Sequence, residues 1–295
     1  MRKKTLVAGW FSFEHMGASA GDLMARDLAR EWLEQAGHAV DIAVAPPFTG
    51  GVDWRGADPV QYSNLVFVCG PFGNGEPLLE LFEHFREVPL TGLDVSLLQP
   101  LQELNPFHLL IERDSNRTSN PDISFLSGKP HVPLVGTVLI DEQPEYGANA
   151  KQEKANSAIE RLLDSREAVV VPIDTRLDVN KTGLRTAAEV ESLIARMDLV
   201  ITTRLHGVVL ALKNGVPAVA IDSVVGGAKV FRQAKALDWP VLFNVEDLSD
   251  EKLADAFDYC LTPAARERAR TCGNRAKERV AQIRDEFIAA MEKAP

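Results

Sequence analysis

An α/β protein of two domains is what three features of this sequence predict. Short apolar, β-branched runs alternate with stretches of helical periodicity along the whole chain. At 295 residues the chain is long enough for two cores of ordinary size. A run of turn formers between Asn116 and Pro133, with Pro121, Gly128 and Pro130, interrupts the alternation. It places one domain at 1–130 and a second at 131–295.

Composition narrows the class. A hydrophobic content of 45% with 25% charged residues is that of an ordinary globular protein. The net charge of −10 argues against nucleic acid as a partner, because phosphate backbones demand a basic footprint. Cys69, Cys260 and Cys272 form no C-x-x-C pair, as expected in a reducing cytosol. Met1-Arg-Lys-Lys4 before an apolar run imitates a signal peptide. However, Leu6 to Phe11 is too short for its core, and Glu14 and His15 follow in place of a cleavage site. No run approaches the ~20 apolar residues needed to span a bilayer. A cytoplasmic location is expected.

Thr5 to Trp10 reads as the first strand, followed by the small-residue loop Gly17-Ala-Ser-Ala-Gly21-Asp22. A helix from about Asp22 to Gln35 carries Leu28 and Trp32 one turn apart and stops at Gly37. Ala39 to Ala45 and Leu65 to Cys69 read as strands, the second ending in the glycine-rich turn Gly70 to Gly75. Neither G-x-G-x-x-G nor G-x-x-x-x-G-K-[ST] occurs, so no dinucleotide or ATP site is predicted. Leu78 to Phe85 is helical. Phe107 to Ile111 is a strand, with Arg113 just beyond it between Glu112 and Asp114.

In the second domain Leu134 to Ile140 and Ala168 to Ile173 are strands, separated by a helix bearing Ala155, Ile159 and Leu162. A loop with Arg176, Lys181 and Arg185 leads to a helix with Val190, Ile194 and Met197. Asp198 to Ile201 is a β-branched strand. Val208 to Leu212 continues a helix that stops at Asn214-Gly215, and Ala218 to Ile221 is the next strand, completing a βαβ unit. Val241 to Val245 is the last strand, and Ser249 caps a helix. The terminal helix repeats Ala269, Cys272, Ala276, Val280, Ile283, Phe287 and Ala290 at spacings of three and four, a pattern that normally packs.

Thr202-Thr203-Arg204-Leu205-His206 joins strand to helix inside that βαβ unit. The carboxyl edge of an open parallel sheet is where ligands bind, and a helix start there favours an anion. Arg204 supplies a permanently charged fork, and His206 is a residue type that titrates near neutrality.

Asp198-Leu-Val-Ile-Thr-Thr-Arg-Leu-His-Gly207, with Asn214-Gly-Val-Pro217 and Lys229, resembles the polysaccharide pyruvyl transferase family. The resemblance implies a GT-B-like fold, two Rossmann-like domains facing across a cleft, in which the last helix crosses back onto the first domain. It implies a role in exopolysaccharide and cell-envelope synthesis. The enolpyruvyl unit of phosphoenolpyruvate (PEP) would be moved onto a sugar or lipid-linked glycan as a ketal. Donor binding would fall to Arg204, Lys229, Thr203 and, from the acceptor-side domain, Arg113.

Ketal formation requires a grip on the donor's anionic groups, a proton for its methylene carbon and a base for the sugar hydroxyl. Arg204 suits the first and His206 the second. Asp22, Glu14 and His15 are the candidates for the acceptor side. No His, Cys, Asp or Glu spacing suggests a metal site, and no cofactor beyond PEP as co-substrate is expected. Two other readings fit the same residues: a glycosyltransferase using a nucleotide sugar, and a silent sugar- or PEP-binding relative.

Overall fold

The computed structural model describes residues 4–103 and 105–293. Met1 to Lys3 of the signal-like start and the last two residues, 294–295, lie outside the described residues. The chain divides into Met1–Lys129 and Pro130–Pro295, each with one sheet of parallel strands.

The first unit runs β1 (Lys4–Ala8), α1 (Ala20–Gln35), β2 (Ala39–Ile42), β3 (Asn64–Val68), β4 (Pro71–Phe72), α2 (Leu78–His84), β5 (Leu90–Leu97) and β6 (Leu109–Asp114). Strand order is β2-β1-β3-β5-β4, with β6 also paired to β5. The period-2 alternation of side chains decides which residues meet. Leu6, Ala8, Leu65 and Phe67 join Trp54, Phe72 and Leu81 in one core. Val7, Val66 and Val68 join Ala25 and Ala29 of α1 in the other.

Several boundaries differ from the sequence reading for local reasons. The first strand stops at Ala8 because Gly9 leads into a 3₁₀ turn over Trp10–Ser12. Pro71-Phe72 is not a free turn: it pairs with Ser96-Leu97 and prolongs the sheet. Arg113 lies inside β6 instead of beyond it. The turn-rich stretch from Asn116 folds onto the first unit, with Ser119 bridging to Asp114 and Asp122 paired with Arg113.

The second unit runs β7 (Leu134–Val138), α3 (Gln152–Asp164), β8 (Val169–Pro172), α4 (Ala187–Ile194), β9 (Leu199–Thr202), α5 (Leu205–Lys213), β10 (Ala218–Asp222), α6 (Lys229–Ala236), β11 (Leu242–Asn244), α7 (Asp250–Cys260) and α8 (Pro263–Glu292). Its strand order is β11-β10-β9-β7-β8. Leu199 and Ile201 sit with Ile159 of α3 and Phe257 of α7. Val200 sits instead with Val190 and Ile194 of α4.

Only the first half of α8 packs as its periodicity predicts. Ala269, Cys272 and Gly273 are buried, and a Cβ at Gly273 would stand 2.3 Å from the Leu212 carbonyl oxygen of α5. Beyond it Val280, Ile283 and Phe287 are exposed. No helix of the described residues is long and apolar enough to cross a membrane.

Candidate functional site

Both sheets have a switch point, where successive connections leave in opposite directions and the strand ends splay to admit a ligand. In the second unit it lies between β7 and β9. β9 ends there in Thr202, whose hydroxyl donates to the Val138 carbonyl at 2.9 Å and accepts the Arg204 N–H at 2.9 Å. This turn starts α5 at once, with Arg204 as its N-cap residue.

Gly207 makes that geometry possible. A Cβ there would lie 2.1 Å from Thr202 Oγ1 and 3.1 Å from Val138 Cβ. Thr202 cannot yield, because both sides of its hydroxyl are engaged. Gly207→Ala is therefore expected to destabilise the protein by about 1–3 kcal/mol, although alanine is the better helix former. Denaturant unfolding measures this; equal or higher stability would remove the crowding argument.

Arg204 is anchored before any ligand arrives. Its Nε–H donates to the Leu139 carbonyl at 2.7 Å, and Nη2 lies 3.8 Å from Asp174 Oδ1 beyond the end of β8. Burial works to raise the Asp174 carboxyl. The N–H groups of Arg176 and Lys181, with the Arg204 charge, outweigh it and hold the group below the usual carboxylate range. Asp174 is a partner that the sequence does not announce, since it lies thirty positions from Arg204 and meets it only through the sheet.

The start of α5 has no side-chain cap and no acidic residue in its first turn. The N–H groups of Leu205 and His206 make no hydrogen bond among the described residues, which is the arrangement that accepts an anion. His206 is exposed on this turn. Thr203 has a structural part: it is 1% exposed and its Oγ1 accepts the Ile140 N–H at 2.8 Å.

Lys229 opens α6, which follows β10. Asp222, 1% exposed, takes the Val224 N–H on one oxygen and the N–H groups of Ala228 and Phe231 on the other. Gly226 and Gly227, both left-handed (φ 77° and 76°), turn the chain between them. The Lys229 ammonium lies 3.4 Å from Glu145, both side chains about half exposed. The basic residues of the 174–186 loop are each matched by an acid: Arg176 by Asp178, Lys181 by Asp141 and Arg185 by Glu189.

The first unit's switch point lies between β1 and β3, and a cavity of about 470 Å³ opens there. Asp22 and Arg113 line it together with Trp10 and Gly70. Glu14 and His15 are exposed and are not among its lining residues. Asp22 completes a capping box: its Oδ2 accepts both the N–H and the hydroxyl of Ser19, at 2.7 and 2.6 Å.

Arg113 is not a free cation. Its Nε–H donates to Asp114 (3.0 Å), Nη1 to Asp122 (2.8 Å) and to Cys69 Sγ (3.5 Å), and Nη2 to Ser96 (2.5 Å). A two-pronged grip on a donor anion would have to displace these partners.

Behind Arg113 the fold gathers Cys69, Asp94 and Asp122, whose potential ligand atoms lie within 4.8 Å of one another. No sequence spacing announces this group, and the Arg113 guanidinium already stands against two of its members. Asp94 is 3% exposed, left-handed (φ 58°), and its Oδ2 has no partner among the described residues. Burial, then the Asp122 charge, pushes its carboxyl up to about 6.

The neutral form is the one this fold favours. That contribution is complete below about pH 4 and is lost as pH rises through about 6. Asp94→Asn keeps the oxygen facing the Ile123 N–H and tolerates the left-handed backbone. It should match the parent near pH 4 and exceed it by on the order of 2 kcal/mol above pH 7. A constant stability difference across that range would rule out this origin.

Residues 113–223 match the family profile described as polysaccharide pyruvyl transferase. The match bears out the resemblance read from Asp198–Gly207. It spans Arg113, Arg204 and His206, and it ends before Lys229. No curated protein matches the sequence. Solved structures to which the chain is similar include the calicheamicin glycosyltransferase CalG4, at 13% identity and TM-score 0.37 with all of both chains covered. MurG of Acinetobacter baumannii is 12% identical at TM-score 0.33, with 94% of this chain and 95% of that one covered. The UDP-GlcNAc 2-epimerase of Methanocaldococcus jannaschii is 10% identical at TM-score 0.34, with 89% and 94% covered.

Proposed function

From a segment that matches the polysaccharide pyruvyl transferases, we propose that this protein transfers the enolpyruvyl group of PEP onto a sugar of a polysaccharide or its lipid-linked precursor. The observation that carries the reading is the second unit's switch point. There an anchored arginine, an uncapped helix start and an exposed histidine converge within three residues.

Arg204 and the Leu205 and His206 N–H groups hold the donor's anionic end. Lys229, exchanging Glu145 for phosphate, offsets the remaining charge. His206 gives a proton to the methylene carbon, which becomes the methyl group, and two sugar hydroxyls bond to the central carbon as phosphate departs. Of the two hydroxyl protons, one restores His206 and the other leaves on phosphate. The chemistry calls for no metal and no cofactor beyond PEP itself. In this scheme Arg113 holds the acceptor-side unit together instead of gripping the donor, and Asp22 is the carboxylate assigned to the sugar hydroxyl. The proposed acceptor is an exopolysaccharide or cell-envelope glycan, and a cytoplasmic location accords with PEP as donor.

The test is phosphate release from PEP in the presence of candidate glycans, run in heavy water. Glycan-dependent release with deuterium in the product methyl group is expected. Stabilisation by nucleoside diphosphates without any effect of PEP would overturn the proposal in favour of a nucleotide-sugar glycosyltransferase.

A further inference from the structure

The cavity of the first unit has a composition that phosphate would not choose. Its charged lining is Asp22, Asp122 and Arg113, two negative groups against one positive group, and Asp114 and Asp122 already compensate that arginine. Two buried groups, Cys69 in its lining and Asp94 beside Asp122, register the same field. Burial, then Asp22 and Asp122, pushes the Cys69 thiol up to about 12, and Asp94 is raised as described above. The nearby start of α1 offers no compensation, because Ser19 and Asp22 already cap it.

What the cavity does offer is an aromatic plane and carboxylates. Trp10 is half-buried, and its indole is held in place by Nε1–H donating to the Pro71 carbonyl at 3.0 Å. Phe13 and Phe67 support the ring, at centroid distances of 5.9 and 6.2 Å. Gly70 is left-handed (φ 74°) and bare for this purpose: a Cβ there would stand 2.3 Å from Trp10 Cδ1. Asp22 Oδ1 lies beside the same glycine, 3.4 Å from that Cβ position. Met16, 41% exposed, adds apolar lining. A pyranose ring combines an apolar face of C–H bonds with a rim of hydroxyl donors, and an indole beside a carboxylate matches both.

We propose that this cavity is a subsite for a neutral pyranose ring, with Trp10 as its stacking platform and Asp22 accepting its hydroxyls. The inference rests on the reading of the protein as a sugar-modifying transferase and specifies the acceptor side of that reading. Trp10 is a binding residue here, not a catalytic one.

Saturation-transfer NMR on the full chain tests it with methyl glycosides of glucose, galactose, mannose and N-acetylglucosamine, without PEP. Transfer to ring C–H protons of at least one glycoside is expected. That signal should fall at least tenfold in Trp10→Ala, survive in Trp10→Phe and resist excess inorganic phosphate. Binding of none of the glycosides, an unchanged signal in Trp10→Ala, or displacement by phosphate would each overturn it. Loss in Trp10→Phe as well, with the melting temperature unchanged, would also refute a stacking role. Because PEP is absent, the outcome is separable from the donor chemistry: glycoside binding with no PEP-dependent phosphate release would sink the transferase reading and leave the subsite standing.

Discussion

His206→Asn is expected to bind PEP within about twofold of the parent and to lose on the order of two to four decades in turnover, the usual worth of a positioned general acid. Asparagine retains a polar side chain of similar reach and keeps the backbone N–H in the first turn of α5, so the anion site stays intact. What disappears is the imidazole to which the proposed function assigns the proton transfer. His206 is exposed, so the substitution disturbs no packing and the melting temperature should not move. Donor binding by calorimetry and turnover by phosphate release must be measured separately. Retained turnover would remove His206 from the chemistry, whereas lost binding would recast it as a donor ligand.

Arg204→Lys is expected to lower kcat/KM at least a hundredfold, about 3 kcal/mol of transition-state stabilisation. Charge is preserved, so an effect this size would come from geometry. The guanidinium is moored by its Nε–H to the Leu139 carbonyl and steadied through Nη2 by Asp174, and the proposed function assigns its remaining N–H groups to the donor. A lysine ammonium can keep one of these engagements but not both. Global stability should change little, because the positive charge facing Asp174 is kept. A lysine variant with near-parental kcat/KM would show that a point charge suffices.

The region from β9 to β10 was legible because everything that defines it is local: a β-branched strand, a helix stopped by Asn214-Gly215, a proline and a second strand. The strand β5 was not foreseen. Gly92 and the left-handed Asp94 break its alternation, and the register with β6 shifts around Val95. The same limit applies to the sites. Arg204 and His206 announce themselves two positions apart, yet the groups that orient Arg204 are Leu139 and Asp174, supplied by two other strand ends. Arg113 shows the converse. Its charge was visible in the sequence, but Ser96, Cys69 and Asp122, which engage it, meet only through the sheet and the folded-back segment after Asn116. Trp10 gave no signal, because it read as the end of a strand and not as the wall of a cavity.

The buried Asp222 carboxylate has a consequence for how Lys229 can move. With three backbone N–H groups from the loop and the first turn of α6 tied to one side chain, the helix start is clamped to the end of its strand. The Lys229 Cα is then a stationary pivot, and only the four-carbon stem beyond it can swing. At rest the stem points its ammonium toward Glu145, in a half-exposed pair of the kind that contributes little to stability. The lysine is therefore a tethered charge of fixed origin and adjustable reach, and under the proposed function it can leave one carboxylate for an arriving phosphate without any rearrangement of the backbone.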